Sequence, residues 1–489
     1  MKKIIIPLLV LVLALVSCHH PSLPVQYTDS PQLPEIYPDY TGGITIPRNL
    51  APLTFELKEQ ADDAITRISC GQTEMLLNGL QATPDIDEWH SLLAAAVEES
   101  LLVEIFVEKE GQWTRFKPFK IHVSKDSIDP YISYRLIPPS YVAYEEITIN
   151  QRCLENYDES VIYDNRLCSS PSKGQCVNCH HYQQYNPSRF QFHARQNHGG
   201  TFISIDGKSK KVNLKRDSTL SAGVYPAWHP TKNLIAYSTN KTLQSFHTRD
   251  INKIEVIDAA SDLILYDVEA DEVRHIENDP HEFETFPCWS PDGRTLYYCS
   301  AHFEYAADTI DISETITRAN DIKYSIWRKS FNPEDKSFGE RELVYDAASQ
   351  GKSATLPRIS PDGRYLMFAQ GEWGCFHIWH RDADLWMIDL KTMQVRPLNE
   401  LNSPNVESYH SWSSNGRWVI FSSRRNDGVY TRPFLAHIDS NGCASKPFEL
   451  PAANPDYHQQ LMKSYNIPEF MRGPVKLTPQ EIARVLKSF

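Results

Sequence analysis

The sequence predicts an all-β chain, a β-propeller of six blades preceded by a small β-sandwich and followed by short C-terminal helices. The first observation is an internal repeat. "YPAWHPTKNLIAYSTN" from Tyr225, "FPCWSPDGRTLYYCSA" from Phe286, "LPRISPDGRYLMFAQ" from Leu356 and "YHSWSSNGRWVIFSSRR" from Tyr409 share one grammar. An apolar lead-in meets Trp or Ile, then a turn of the Ser/His-Pro-Asp/Thr-Gly/Lys type, then a hydrophobic strand. Proline presets its own φ in such a turn, and glycine or asparagine accepts a positive one. The second observation is that a further alternating pair follows each hairpin, as in "DLILYDVEADEVRHI" and "DLWMIDLKTMQVRPL". Four strands per unit, recurring about every 50 to 70 residues, is the pattern of propeller blades. The third is composition: 41% hydrophobic, 11% aromatic and 23% charged residues across 489 positions can bury a large core.

Taken in order, residues 1–17 read as a bacterial lipoprotein signal peptide. Lys2 and Lys3 precede an apolar run that ends in "LVSC", which places Cys18 as the lipid-attachment residue. Residues 18–43 are proline-rich and read as a tether. Residues 44–126 carry short alternating runs such as "TFELKE" and "LLVEIFVEK" and read as a small Ig-like β-sandwich, with "IDEWHSLLAAAV" as a short helix. Residues 127–450 are the propeller, with "YISYRLI" and "EEITINQRCL" supplying strands of its sixth blade. In the tail, residues 451–489, "NPDYHQQLMKSYNIPEF" reads as a short helix, and Thr478 begins a capping spelling for a final one. Met462 and Met471 read as packing residues.

The chemistry concentrates in "GQCVNCHHYQQYNPSRFQFHARQNHGGTF". Cys176, Cys179 and His180 spell C-x-x-C-H, the arrangement that lets two thiols reach the haem vinyl groups and the adjacent imidazole reach the iron. Chance gives this spelling in about one sequence per hundred of this length. On the repeat grammar Cys179-His180 falls where Trp228-His229 and Trp289-Ser290 sit, so the motif lies inside a blade. Period-two alternation in "FQFHAR" sets Phe190, Phe192 and Ala194 on one face and Gln191, His193 and Arg195 on the other. His193 is then the expected distal iron ligand and Arg195 a propionate partner, with His181, His198 and His229 as competitors. Zinc is the alternative, although no second C-x-x-C exists; a structural role for the cysteines is another. Cys288 with Cys299 could bridge one hairpin.

The W-S-P-D-G hairpins resemble those of the TolB-like, WD-repeat-like propellers. "DPYISYRLI", "INQRCLENYDES", "CVNCHH", "FHARQNHGGT" and "YHSWSSNGRWVIFSSRR" further resemble a group of lipoproteins of Bacteroides-type bacteria that combine a small sandwich, a C-x-x-C-H blade and a propeller. That resemblance implies a cytochrome-related lipoprotein of the cell envelope, and "HHPSLP" after Cys18, which carries no acidic export tag, sets the expected anchor on the periplasmic side of the outer membrane. The expected cofactor is covalent haem c. The expected role is monohaem electron transfer, or a redox subunit docking a partner cytochrome or other envelope protein. The alternative is a non-redox scaffold binding a protein or a glycan, with the cysteines structural.

The formal charge of −13, or −15 without Lys2 and Lys3, disfavours nucleic acid, and "KSKK" at Lys208–Lys211 reads as a solvated hairpin turn. No G-x-S-x-G elbow, Walker loop, dinucleotide fingerprint or H-E-x-x-H occurs. Paired acids such as Glu282 with Glu284 and Asp382 with Asp384 read as solvated loop carboxylates.

Overall fold

The computed structural model describes residues 22–139, 146–247, 249, 252, 254–307 and 309–488. The signal peptide and Cys18 lie outside the described residues.

The first unit holds two sheets and a helix. Its larger sheet runs Thr28–Asp29, Gln112–Arg115, Ser100–Lys109, Phe119–Ser124, Thr45–Pro47, and the hairpin of Asp63–Cys70 and Thr73–Asn78 joins the other side of Ser100–Lys109. The smaller sheet is made of Ile36–Tyr37, Phe55–Leu57 and Gln81–Ala82. The helix Ile86–Ala95 starts where Asp85 accepts from the Asp87 and Glu88 amides, and it buries Trp89, Leu92 and Leu93. The segment expected as tether therefore belongs partly to the fold, because Ile36 and Tyr40 are buried and its two short strands, Thr28–Asp29 and Ile36–Tyr37, pair with Gln112–Arg115 and Phe55–Leu57. Proline leaves that segment few ladder donors, so it pairs in two-residue pieces. The unit shares one apolar core with the propeller, Ile46 and Leu53 packing in the cluster that holds Trp418, Ile420 and Phe448.

From Tyr131 onward the strands form a β-propeller of four-stranded antiparallel blades. Blade 2 is Gln175–Tyr182, Arg189–Gln196, Gly200–Ile205 and Lys208–Val212. Blades 3 to 6 begin on Val224–Trp228, Glu282–Trp289, Ser353–Ile359 and Glu407–Trp412, their innermost strands, each followed outward by three more. Blade 1 is closed differently: Tyr131–Ile137, Thr148–Cys153 and Glu159–Asp164 come from the start of the propeller, and the innermost strand Ser464–Met471 comes from the end of the chain. The ring is thus zipped by hydrogen bonds between its two ends.

This corrects the reading of residues 451–489 as a helical tail. Helix is confined to Tyr457–Gln460 and Pro479–Lys487, the latter with the Thr478–Glu481 capping box, while "SYNIPEFM" is a strand. Burial on both sides of a blade decides this, since Tyr465, Ile467, Phe470 and Met471 are all buried. Met462, by contrast, is 64% exposed and packs on nothing central. "KSKK" likewise lies in the outermost strand of blade 2, and Asp206-Gly207, both at positive φ, makes the turn before it.

The hairpin turns work as their spelling implies. Ser290 Oγ donates to Asp292 and accepts from the Thr295 amide, and Gly293 sits at φ +69°. A Cβ there would lie 2.4 Å from His229 Nε2, which instead donates to the Gly293 carbonyl at 3.0 Å. The turn of one blade is thereby locked to its neighbour.

Candidate functional site: the bulge ring and the axial cup

Each innermost strand breaks its ladder at one dipeptide. Cys179-His180, Tyr225-Pro226, Phe286-Pro287, Leu356-Pro357, Tyr409-His410 and Ile467-Pro468 all sit at a register shift against the next strand. In every case the first residue has φ between +46° and +57°. A β-bulge takes its extra residue out of the ladder and turns its side chain. Here the first residues converge around a narrow cavity on the propeller axis. The second residue needs no ladder donor, which explains why four of the six are proline.

The second half of C-x-x-C-H is therefore the bulge of blade 2. The expected alignment of Cys179 with Trp228 and Trp289 is displaced by three residues. Tyr182 stands opposite Phe190 as Trp228 stands opposite Ile235 and Trp289 opposite Leu296, so Tyr182 is the residue equivalent to those tryptophans.

Cys176, Cys179 and His180 are all buried. Burial raises the Cys179 thiol pKa. It also depresses the His180 imidazole to about 4, and neither ring nitrogen has a hydrogen-bond partner. The cavity bordered by Cys179 and His180 measures about 20 Å³, the space of one or two waters.

Across the strand the expected alternation is found. Phe192 stacks on Tyr163 of blade 1 at 5.1 Å, and Gln191 on the opposite face accepts from Tyr237 of blade 3 at 3.3 Å. His193 lies directly opposite Asn178 on that second face, with Nδ1 3.1 Å from Thr201 Oγ1. Burial, with Arg195 adding to it, depresses His193 to about 3. With its amide oxygen turned toward the guanidinium, Asn178 accepts from Arg195 Nη2 and Nε at 2.9 and 3.1 Å. His180 is directed to blade 1, where Glu469, Arg135 and the Ile467 backbone surround it.

These residues do not fit haem c as arranged. A macrocycle requires a pocket on the order of several hundred Å³, far above the cavity at the motif. His180 and His193 turn to opposite faces of blade 2 and do not oppose each other across one iron. Among the described residues no three His, Cys, Asp or Glu side chains group so as to hold a metal ion, which leaves the zinc alternative without a ligand set. The competing histidines are otherwise engaged or exposed: His229 locks its turn, His181 pairs with Glu469, and His198 is exposed. The described cysteines are free, and Cys288 and Cys299 face Tyr297 and Thr285 rather than each other.

Above the bulge ring the axis widens into a cup of about 150 Å³. Its ring is made by the residue directly after each bulge dipeptide: His181, Ala227, Cys288, Arg358, Ser411 and Glu469, one from each blade. One position further lie Tyr182, Trp228, Trp289, Ile359, Trp412 and Phe470, which form its largely apolar wall. The hairpin prolines Pro230, Pro291 and Pro361 and the exposed Gln184 frame its mouth. Strand Ile254–Asp267 of blade 3 reaches blade 5, with Ile257 packed on the cluster that holds the bulge residues Phe286, Leu356 and Tyr409, Cys375 Sγ against the Val256 carbonyl, and His380 paired to Glu255 at 2.7 Å.

The cup is charged at one side. His181 Nδ1 is 2.8 Å from Glu469 Oε1, and an Arg358 Nη2 lies 3.8 Å from the same oxygen. Burial alone would raise the Glu469 carboxyl; His181, His180 and Arg358 outweigh it and hold it below the usual range. Burial raises the Cys288 thiol, and the adjacent Arg358 partly opposes this. Arg358 and Glu469 are absent from the sequence-level candidates. Their only signal in the sequence is positional, the residue directly after an aromatic-or-aliphatic–Pro pair in successive repeats.

No protein-family model and no curated protein matches this chain. Solved structures similar to it include a prolyl oligopeptidase B from Galerina marginata, at 11% identity over 82% of this chain and 54% of that one, with a TM-score of 0.35. A GH74 enzyme from Niastella koreensis is similar at 10% identity over 65% and 46%, TM-score 0.35. The Cps50 (Swd1) β-propeller domain of Myceliophteria thermophila is similar at 11% over 67% and 90%, TM-score 0.30. This chain spans about half the length of the first two. At such scores none of them bears on its chemistry, and the propeller assignment rests on this chain's own sheets.

Proposed function

We propose that this chain is a non-redox binding scaffold of the cell envelope, whose propeller receives a small molecule, or a projecting group of a protein or glycan, in its axial cup. The observation that carries the reading is the cup itself. It is open at the hairpin face, floored by a packed ring, and built from one residue of every blade around a charged group. Concave, largely apolar sites with a few convergent polar groups are the usual form of a ligand pocket. In this reading Cys179 and His180 belong to the floor of the cup and to the bulge geometry, and Cys18 carries a lipid anchor.

The test is a panel of small molecules screened by ligand-observed NMR against the wild-type chain and against Ala227→Trp. The substitution fills the cup from a side chain that is now 3% exposed. Binding lost in the filled variant supports the reading; binding retained there overturns it. Covalent haem in protein made in a periplasm with haem-attachment machinery, lost in Cys176→Ala/Cys179→Ala, would replace it with electron transfer. Labelling by radioactive palmitate, lost in Cys18→Ala, tests the anchor.

A further inference from the structure

We infer that the axial cup takes the carboxylate of a small organic acid, held by Arg358; this rests on reading the cup as a binding site.

The charged side of the cup is unevenly satisfied. Glu469 is engaged by His181 at 2.8 Å, whereas its contact to Arg358 is 3.8 Å, beyond hydrogen-bonding range. Among the described residues the Arg358 guanidinium donates to no protein oxygen; its other hydrogen-bond partner is the Cys288 sulfur, a weak acceptor that leaves most of its donors open. Its side chain is 27% exposed, against 9% for Glu469, so the cation is the charge a ligand meets. Glu469 Oε2 is also without a hydrogen-bond partner, but it is shielded inside the wall. A guanidinium with free in-plane donors pairs best with a planar carboxylate, two N–H groups to two oxygens.

The rest of the cup limits the body of the ligand. Its volume of about 150 Å³ suits a molecule of about ten non-hydrogen atoms, taking a water's need as 10–15 Å³. Trp228, Trp289, Trp412 and Phe470 supply apolar and aromatic surface, while the Ser411 hydroxyl stands on the ring beside Arg358. A compact acid with an apolar or aromatic body matches these walls. A bare inorganic anion leaves the walls unused, and an amine meets Arg358 as a like charge.

Benzoate, benzyl alcohol and benzylamine share one ring and nearly one size, and differ in charge. Titration calorimetry of the mature chain with each is the test. Benzoate is expected to bind at least tenfold tighter than either of the others. Arg358→Gln should abolish that binding, and Arg358→Lys, which keeps the charge but loses the fork, should weaken it tenfold or more, with near-ultraviolet circular dichroism unchanged in both. Equal or tighter binding of benzylamine or benzyl alcohol would overturn the carboxylate assignment and leave the cup a binding site. Benzoate binding unchanged in Arg358→Lys would remove Arg358 from it. Failure of all three to bind the wild-type chain at about 10 mM would sink both the inference and the reading beneath it.

Discussion

His180 and His410 occupy the same position in blades 2 and 6, the second residue of the bulge, and both are 2% exposed. His410 donates from Nε2 to the Met367 carbonyl of blade 5 at 2.9 Å. His180 finds no partner for either nitrogen and abuts a small cavity. The other four blades place proline there. The position thus requires only a residue whose amide the ladder does not need. One histidine has been recruited into a blade-to-blade hydrogen bond; the other is tolerated at a cost, because a buried polar group without a partner is destabilising.

The ring of bulges can be broken outright. Removal of residues 464–489 takes away the blade 1 bulge and the strand that zips the ring, exposing the inner edge of Tyr131–Ile137. The expected outcome is loss of cooperative unfolding by calorimetry, the largest effect considered, whereas removal of 477–489 alone should leave a cooperative transition. A truncated chain that still melts in one sharp step would show that the ring does not depend on its closure.

His180 and His410, together with His193, also set an acid limit. Burial depresses His180 to about 4, and His193 and His410 to about 3. In the unfolded chain each titrates near 6.5. Above pH 6.5 both states are neutral and stability does not depend on them. As pH falls below 6.5 the unfolded state takes up protons that the folded state refuses, so stability drops, by about 3 kcal/mol for His180 by pH 4. Urea midpoints measured from pH 7 to pH 4 should fall steeply; a flat profile would mean that these imidazoles are not buried neutral.

His410→Ala separates the partnered histidine from the unpartnered one. It removes a buried hydrogen bond and leaves the Met367 carbonyl without that donor, which costs about 1–3 kcal/mol. His180→Ala removes no hydrogen bond and should cost less. Equal losses in the two variants, measured by urea unfolding at pH 7.5, would erase the distinction drawn from the geometry.

How much of this was legible in the sequence follows from where each signal lies. The blade hairpins could be read because Ser-Pro-Asp-Gly specifies its turn within four residues, and the alternation in "FQFHAR" could be read because it is local. Ser464–Met471 could not, since its partner strand lies at the other end of the chain and no turn joins them. The cysteine motif was visible, but its place was misjudged by three residues: a bulge has no spelling of its own beyond an apolar residue before proline, and blade 2 writes it as Cys179-His180. Arg358, Glu469 and His181 come from three blades, and only closure of the ring brings them together.

The smallest effect is the most discriminating. In His180→Pro, blade 2 would take the spelling that blades 1, 3, 4 and 5 already use, with a residue at positive φ before the proline and no ladder amide lost. The change removes an unpartnered buried imidazole and narrows the unfolded ensemble, so stability at pH 7.5 should stay within about 1 kcal/mol of wild type and on the favourable side. It should also remove the His180 share of the acid loss, so that variant and wild type diverge further as pH falls toward 4. If the imidazole instead served an iron, proline would leave the fold intact and abolish a low-spin haem spectrum. A colourless wild type together with a stabilised variant would establish His180 as a residue the bulge permits rather than one the chemistry demands.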